Sequence, residues 1–444
     1  MKRFGDGRDW FFEKRFGLFV HWGLYSINEW HEQEMYRLGL SRKEYTPLMK
    51  KFNPVKFNPD KWLDAAEKAG MEYICFTSKH IDGFCMFDTK YTDYKVTNTP
   101  YGKDVLAMLA NACAKRNFPL CIYYSVPDMN YKHYPNSGRG YELPAPEPGD
   151  EPDIKKYMQY VKDQVTELCT NYGKICGWWW DGNAFWGQTF NSDRLMNIQD
   201  ESVNELLRSL QPGIIISNRG FDRGDYLIAE REHGEEISRD ERLFKYPTEA
   251  CQAIGRESWG YRRNEDYYSA AHIKKNICKV LARGGNYLLN AGPKSDGEFP
   301  REAVNMLEDI GGWYSKVKES FANAEPLSFM TTDAGVFFTK RGDILYVHLP
   351  NLITTGVAIK PIDVLPLKAA VLNTGRKPKI SLDSMPRFYP DRKEYLHIYD
   401  IPVDKLSGEP AIIKLEFEKM PECLTEWTER QNSPQEGKWD FIPK

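Results

Sequence analysis

The sequence predicts an α/β protein, a (β/α)8-like (TIM-type) barrel followed by a C-terminal all-β sandwich domain. Short, continuous apolar runs alternate with longer helical patterns over the first three quarters of the chain, as in a parallel sheet covered on both faces. Such alternation suits either a barrel or a doubly wound sheet. No GxGxxG or GxxxxGK[ST] motif follows the first run, which disfavours the nucleotide-binding form of the second. Beyond about Glu325 the helical period disappears, and turn residues recur at the spacing of a β-sandwich.

The strand candidates, in order, are "FGLFVHWG" (16–23), "YICFTSKH" (73–80), "PLCIYYSV" (119–126), "ICGWWWDG" (175–182), "GIIISNRG" (213–220), "EACQAI" (249–254) and "NYLLNAGP" (286–293). These are seven, so an eighth strand is assumed or the barrel is irregular. Between them, "NPDKWLDAAEKAG" reads as a helix capped by Asn58, with Pro59 at its first position and Gly70 as its stop. Further helices are expected over 103–117, 153–171, 193–210, 269–283 and 300–319, and the Pro-rich 141–153 reads as a loop between strand and helix. In the last quarter, "GVFFTKRGDILYVHLPN" reads as two strands joined at "KRGD", and "AAVLNTG", "YLHIYDIP" and "AIIKLEFE" continue the pattern. The expected domains are 1–322 for the barrel and 326–444 for the sandwich, with no internal repeat.

Composition narrows the function classes. The 444 residues are 41% hydrophobic and 28% charged, the balance of an ordinary globular protein. A net charge of −3 gives no electrostatic ground for a nucleic-acid or membrane partner. No stretch of roughly 18 apolar residues occurs that could span a bilayer. The opening "MKRFGDGRDWFFEKRFG" lacks the apolar core and cleavage site of an export signal. The expectation is a cytoplasmic protein, or a periplasmic or secreted one if a signal was trimmed. Nine cysteines lie scattered without CxxC spacing, the pattern of reduced, buried thiols. Aromatic content is high, with 12 Trp and 26 Tyr, and aromatic faces suit the apolar faces of sugar rings as well as core packing.

In a parallel αβ barrel, chemistry collects at the C-terminal ends of the strands. Those ends supply His21, His80, Tyr123 with Tyr124, Asp181 and Arg219. The most informative is "GWWWDGNAFW", where a tryptophan run that favours burial ends on a carboxylate. A lone Asp-Gly reads as a turn capping the next helix. With the other polar strand ends around it, Asp181 reads instead as the point where a buried strand emerges into a pocket. Trp179, two residues earlier, faces the same side of the strand.

Several motifs in fixed order now acquire a common meaning. "RFGLFVHWGLYS", "FNPVKFNPDKW", "KHIDGFCMFDTK", "WWWDG" and "GGNYLLNAGPKSDGEFP" resemble the α-L-fucosidases of glycoside hydrolase family 29, over residues 10–315. The resemblance implies an exo-acting, retaining hydrolase of terminal α-L-fucose in glycans or glycosides, working with two carboxyl groups. It implies Asp181 as nucleophile. For the acid/base it points to Glu230, in "GDYLIAERE", a stretch that resembles a variable loop of the family, with Glu232, Glu235, Glu236 and Glu249 as rivals. Most acids in "EREHGEEISRDER" belong to a solvated charge run. His21, Glu29, Trp30, His80, Tyr123 or Tyr124, Trp179 and Arg219 fall where the family lines its sugar site, and Trp259 falls where an aromatic packs on the C5 methyl of fucose. The partner implied is a fucosylated oligosaccharide or glycoside. No metal or cofactor is expected, and a homo-oligomer is left open.

Two positions leave the family pattern. Ile81 stands where a second histidine is common, and Asn218 where an aspartate often precedes the arginine. Loss of a polar partner costs about 1–3 kcal/mol if its hydroxyl stays buried and unpaired. These departures keep open a hydrolase for a related L-sugar, an α-L-galactoside or β-L-arabinopyranoside. Two further classes compete. His21, His80 and Asp82 could hold a divalent metal, but HxH and HExxH spacings are missing. A catalytically weak or silent sugar-binding protein is opposed by Asp181 and the acids near it.

Overall fold

The computed structural model describes residues 1–135, 147–182, 200–231, 243–327, 335–351, 353–360, 362–386, 393–406, 408–422 and 424. The chain divides into two compact units, one carrying the barrel strands and the other carrying the C-terminal strands with Lys274–Gly284.

The first unit is built on eight parallel strands: β1 (Phe16–Val20), β2 (Ile74–Lys79), β3 (Leu120–Ser125), β4 (Gly177–Asp181), β5 (Ile215–Ile216), β6 (Leu227–Glu230), β7 (Thr248–Ala253) and β8 (Asn286–Asn290). They run in the order β5-β4-β3-β2-β1-β8-β7-β6. The two ends of that order meet through a parallel bridge between Ser217 and Tyr226. β1, β2, β3, β7 and β8 are buried along their whole length, which is why their sequences read as continuous apolar runs.

The missing eighth strand is β6, in the stretch expected to be a loop. It is only four residues long, its Leu227 is exposed, and it runs into a charge cluster, so no period marks it. β5 is shorter still, at two residues. Asn218 compensates at this seam. Its amide donates to the Tyr226 carbonyl at 3.0 Å, and its side-chain oxygen accepts from the Ile228 amide at 3.0 Å.

The expected helices appear as Pro59–Ala69, Val105–Arg116, Ile154–Asn171, Ser202–Leu210, Ala270–Ala282 and Arg301–Val317. Of the expected 193–210, residues 193–199 lie outside the described residues. The Asn58 side chain caps the first of these helices by accepting from the Asp60 amide, and Gly70 ends it at φ 86°.

The second unit contains two antiparallel sheets. One is ordered β13 (Lys368–Val371), β16 (Ala411–Glu416), β11 (Ile344–Leu349), β10 (Phe337–Arg341) and β9 (Glu325–Leu327). The other is ordered β12 (Val357–Ile359), β15 (Tyr395–Tyr399) and β14 (Lys379–Asp383). Phe338, Val347 and Ile413 from the first sheet share one apolar core with Val357, Leu396 and Ile398 from the second, the packing of a sandwich. The "KRGD" turn joins β10 to β11 through Gly342 and Asp343, with Gly342 at φ 58°.

Candidate active site

The pleat of β4 sorts its tryptophans. Trp180 points outward, and its indole N–H donates to Asn204 Oδ1 at 2.9 Å on the helix Ser202–Leu210. Trp179 points into the barrel, 5.3 Å from both Phe19 and Tyr123 between ring centres. Two residues on, Asp181 takes the same side and leaves the aromatic layer half-buried.

Two side chains hold it. The Tyr123 hydroxyl, from β3, donates to Asp181 Oδ2 at 2.7 Å. Arg219, just beyond β5, reaches Asp181 Oδ1 at 3.4 Å and Glu230 Oε2 at 2.6 Å with the same nitrogen, Nη1. Glu230 is the last residue of β6, so the strand that the sequence hid is the one that delivers it. Burial works against the Arg219 charge, but Glu230 and Asp181 outweigh it and hold the guanidinium above its ordinary value. Its carbon lies 5.4 Å over the Trp179 ring.

A histidine wall stands beside this pair. The His80 ring stacks on Tyr123 at 5.6 Å and 12°, and His21 lies 5.6 Å from His80. His21 shares a 2.7 Å hydrogen bond with Asn290 Oδ1, at the end of β8. The other arm of that amide, Nδ2, donates to the Trp259 carbonyl at 2.7 Å. The amide orientation therefore sets the tautomer: His21 carries its proton on Nδ1, and Nε2 is left as an acceptor. Burial lowers the pKa of His21 to about 3, helped by His80, and burial lowers that of His80 as well. Both rings are neutral at neutral pH. His80 Nδ1 has no hydrogen-bond partner among the described residues.

Trp259 closes the site opposite, its indole stacked on His21 at 5.3 Å and 29°. Its backbone is held by a residue the sequence did not single out. Glu32 Oε2 accepts from Ser258 Oγ at 2.7 Å and from the amides of Trp259 at 2.9 Å and Gly260 at 3.3 Å. Burial alone would raise the Glu32 carboxyl, but His31, His80, His21 and the Ser258 hydroxyl lower it to about 2. Asn290 and Arg231 were missed as well. Arg231 follows Glu230 at φ 54° and lays its guanidinium 4.5 Å over Trp259. No local pattern marks Glu32 or Arg231; Asn290, in the strand-end run "NYLLNAGP", could have been found as another polar strand end.

Other expected residues have partners of their own. Tyr124 alternates away from Tyr123: its hydroxyl donates to Gln164 at 2.6 Å on the helix Ile154–Asn171, so it lies outside the Asp181 cluster. Glu29 gives its carboxylate to Arg263 at 2.5 Å, and Trp30 sits beside the His31 ring at 5.8 Å. Asp82 accepts from the Tyr45 hydroxyl and the Phe84 amide rather than joining His21 and His80. Asn218 stitches the barrel seam as described, and Ile81 is buried next to His80. Glu249, near the start of β7, is buried with its oxygens on Tyr73 and Trp179. Glu232, Glu235 and Glu236 lie outside the described residues.

Comparison with known proteins identifies the family. The alpha-L-fucosidase family model matches residues 5–319. The tissue alpha-L-fucosidase of Bos taurus is 24% identical over 401 residues, covering 84% of this chain and 82% of that one. The alpha-L-fucosidase isoenzyme 1 of Paenibacillus thiaminolyticus superposes with a TM-score of 0.79 at 29% identity, covering 93% of this chain and 99% of its own. A GH29 enzyme of Bacteroides thetaiotaomicron, solved as a trapped covalent intermediate with 2-fluoro-fucosyl fluoride, has a TM-score of 0.78 at 25% identity over 94% of this chain and 97% of its own. The chain belongs to the alpha-L-fucosidase family of glycoside hydrolases.

Proposed function

We propose that the protein is an exo-acting, retaining hydrolase that releases terminal α-L-fucose by double displacement, with Asp181 as nucleophile and Glu230 as acid/base. The observation that carries this reading is the shared guanidinium. Both carboxylates reach Arg219 Nη1, at 3.4 and 2.6 Å, so those two oxygens lie no more than about 6 Å apart. Retaining glycosidases need about 5–5.5 Å between carboxyl groups, whereas inverting ones need about 6.5–9.5 Å to admit a water. The covalent intermediate trapped in the Bacteroides thetaiotaomicron relative supports the same course.

In the first half-reaction an Asp181 oxygen attacks the anomeric carbon, and Glu230 gives its proton to the departing glycosidic oxygen. Water then attacks the glycosyl ester, Glu230 takes its proton, and Asp181 leaves. Tyr123 and Arg219 each hold one oxygen of Asp181, which fixes the direction of attack. Neutral His21 supplies an acceptor for a sugar hydroxyl, and Trp259 an apolar face for a deoxy-sugar methyl.

Asp181→Gly tests the assignment. It should keep the fold and lose most activity on an aryl α-L-fucoside. Added azide should restore turnover and yield a glycosyl azide of inverted configuration. Near-normal activity without azide would remove Asp181 from the role.

A further inference from the structure

We infer that Glu249 is a positioning residue for Asp181, acting from the floor of the barrel through Trp179. This rests on the reading of Asp181 as nucleophile and extends it two layers down. Glu249 is the second residue of β7, at the opposite end of the strands from the reacting carboxylates, and it is buried. Its Oε2 accepts from the Tyr73 hydroxyl at 2.6 Å and its Oε1 from the Trp179 indole N–H at 3.1 Å. Gly17 makes this arrangement possible, because a side chain there would collide with the Tyr73 ring.

A carboxyl in this place is costly. It shares the barrel interior with Phe11, Tyr226, Cys75, Cys121 and Cys251. Burial pushes its pKa up to about 7, against the pull of the two hydrogen bonds. An apolar side chain would satisfy packing without that penalty. What it could not do is hold the indole. Trp179 anchors at its N–H and presents its face to Tyr123, at 5.3 Å and 23°, and to Arg219, at 5.4 Å. Those are the two side chains that hold Asp181, one on each oxygen. A tilt of the indole therefore displaces both supports of the nucleophile together.

The test measures covalent labelling of the enzyme by 2-fluoro-fucosyl fluoride. Here the Asp181 oxygen bonds to the anomeric carbon as fluoride departs, and mass spectrometry locates the adduct. Glu249→Leu removes the acceptor, Trp179→Phe removes the N–H while keeping an aromatic ring, and Glu249→Gln keeps an acceptor oxygen. Loss of positioning on the ångström scale slows the first two on the order of ten- to a hundredfold, while Glu249→Gln stays within about threefold of wild type. Rescue by glutamine separates positioning from a packing role. Wild-type labelling in Trp179→Phe or in folded Glu249→Leu overturns the proposal, as does a Gln variant as slow as the Leu one. An adduct on a residue other than Asp181 in the wild-type enzyme overturns the nucleophile assignment itself.

Discussion

Asp181 and Glu230 reach one nitrogen of Arg219, yet their local sequences differ completely. Asp181 ends a buried tryptophan strand, whereas Glu230 opens a run of charges. Acid catalysis matters most where the leaving group is poor. Glu230→Ala should therefore slow a natural fucosylated oligosaccharide by about 100-fold or more, and an aryl fucoside with an activated phenol far less. Parallel kinetics on the two substrates check this, and equal slowing on both would count against Glu230. The neighbouring tyrosines show how one position decides a role. Tyr123 and Tyr124 are alike in sequence, but period-two alternation turns the first onto Asp181 and the second onto Gln164.

At the scale of elements, two weak pieces of chain complete the site. β6 is held to β5 by the backbone and side chain of Asn218, and so Glu230 is brought to Arg219. The departure at Asn218 thus affects the seam of the barrel. In the loop 258–260 the single oxygen Oε2 of Glu32 takes three donors, beside the bonds from Asn290 to the Trp259 carbonyl and from the Ser258 amide to Glu265. Hydrogen bonds to a charged acceptor contribute about 1.5–3 kcal/mol each. Glu32→Gln removes the charge and leaves those three donors on a neutral amide oxygen. We expect Trp259 to lose its place against His21, with KM for an aryl α-L-fucoside rising about tenfold and kcat changing less. Steady-state kinetics decide it: an unchanged KM would show that the loop holds without Glu32.

At the scale of the molecule, buried titratable groups shape the pH dependence of stability. Burial raises Glu249 from 4.5 to about 7. The folded chain therefore holds that proton more tightly than the unfolded chain, and stability falls as pH rises from about 4.5 to about 7. His21 acts in the opposite sense. Its pKa of about 3 in the fold, against 6.5, means that the unfolded chain takes up the proton first and stability falls with decreasing pH over that window. Replacing Glu249 by Gln abolishes only the first effect. Urea unfolding of wild type and Glu249→Gln at pH 4.5 and pH 8 should show their stability difference moving in favour of the variant by on the order of 3 kcal/mol. A difference that does not change with pH would mean that Glu249 is ionised in the fold as readily as in water.

The sequence by itself determined the barrel, the sandwich and the strand ends that carry His21, His80, Tyr123, Asp181 and Arg219. Fully buried parallel strands write a continuous apolar signal, and their last residues are found by counting. Tertiary structure alone decided the rest. β6 carries too few residues for a period, so its existence depends on the Asn218 seam. Glu230 and Glu249 differ in which end of a strand each occupies: one reaches Arg219, and the other lies under Trp179. Glu32 and Arg231 bear on Trp259 from more than 200 and from 28 residues away, distances over which no local pattern reports a contact. Local periodicity records which face of an element is buried, and only the folded chain records what that face meets.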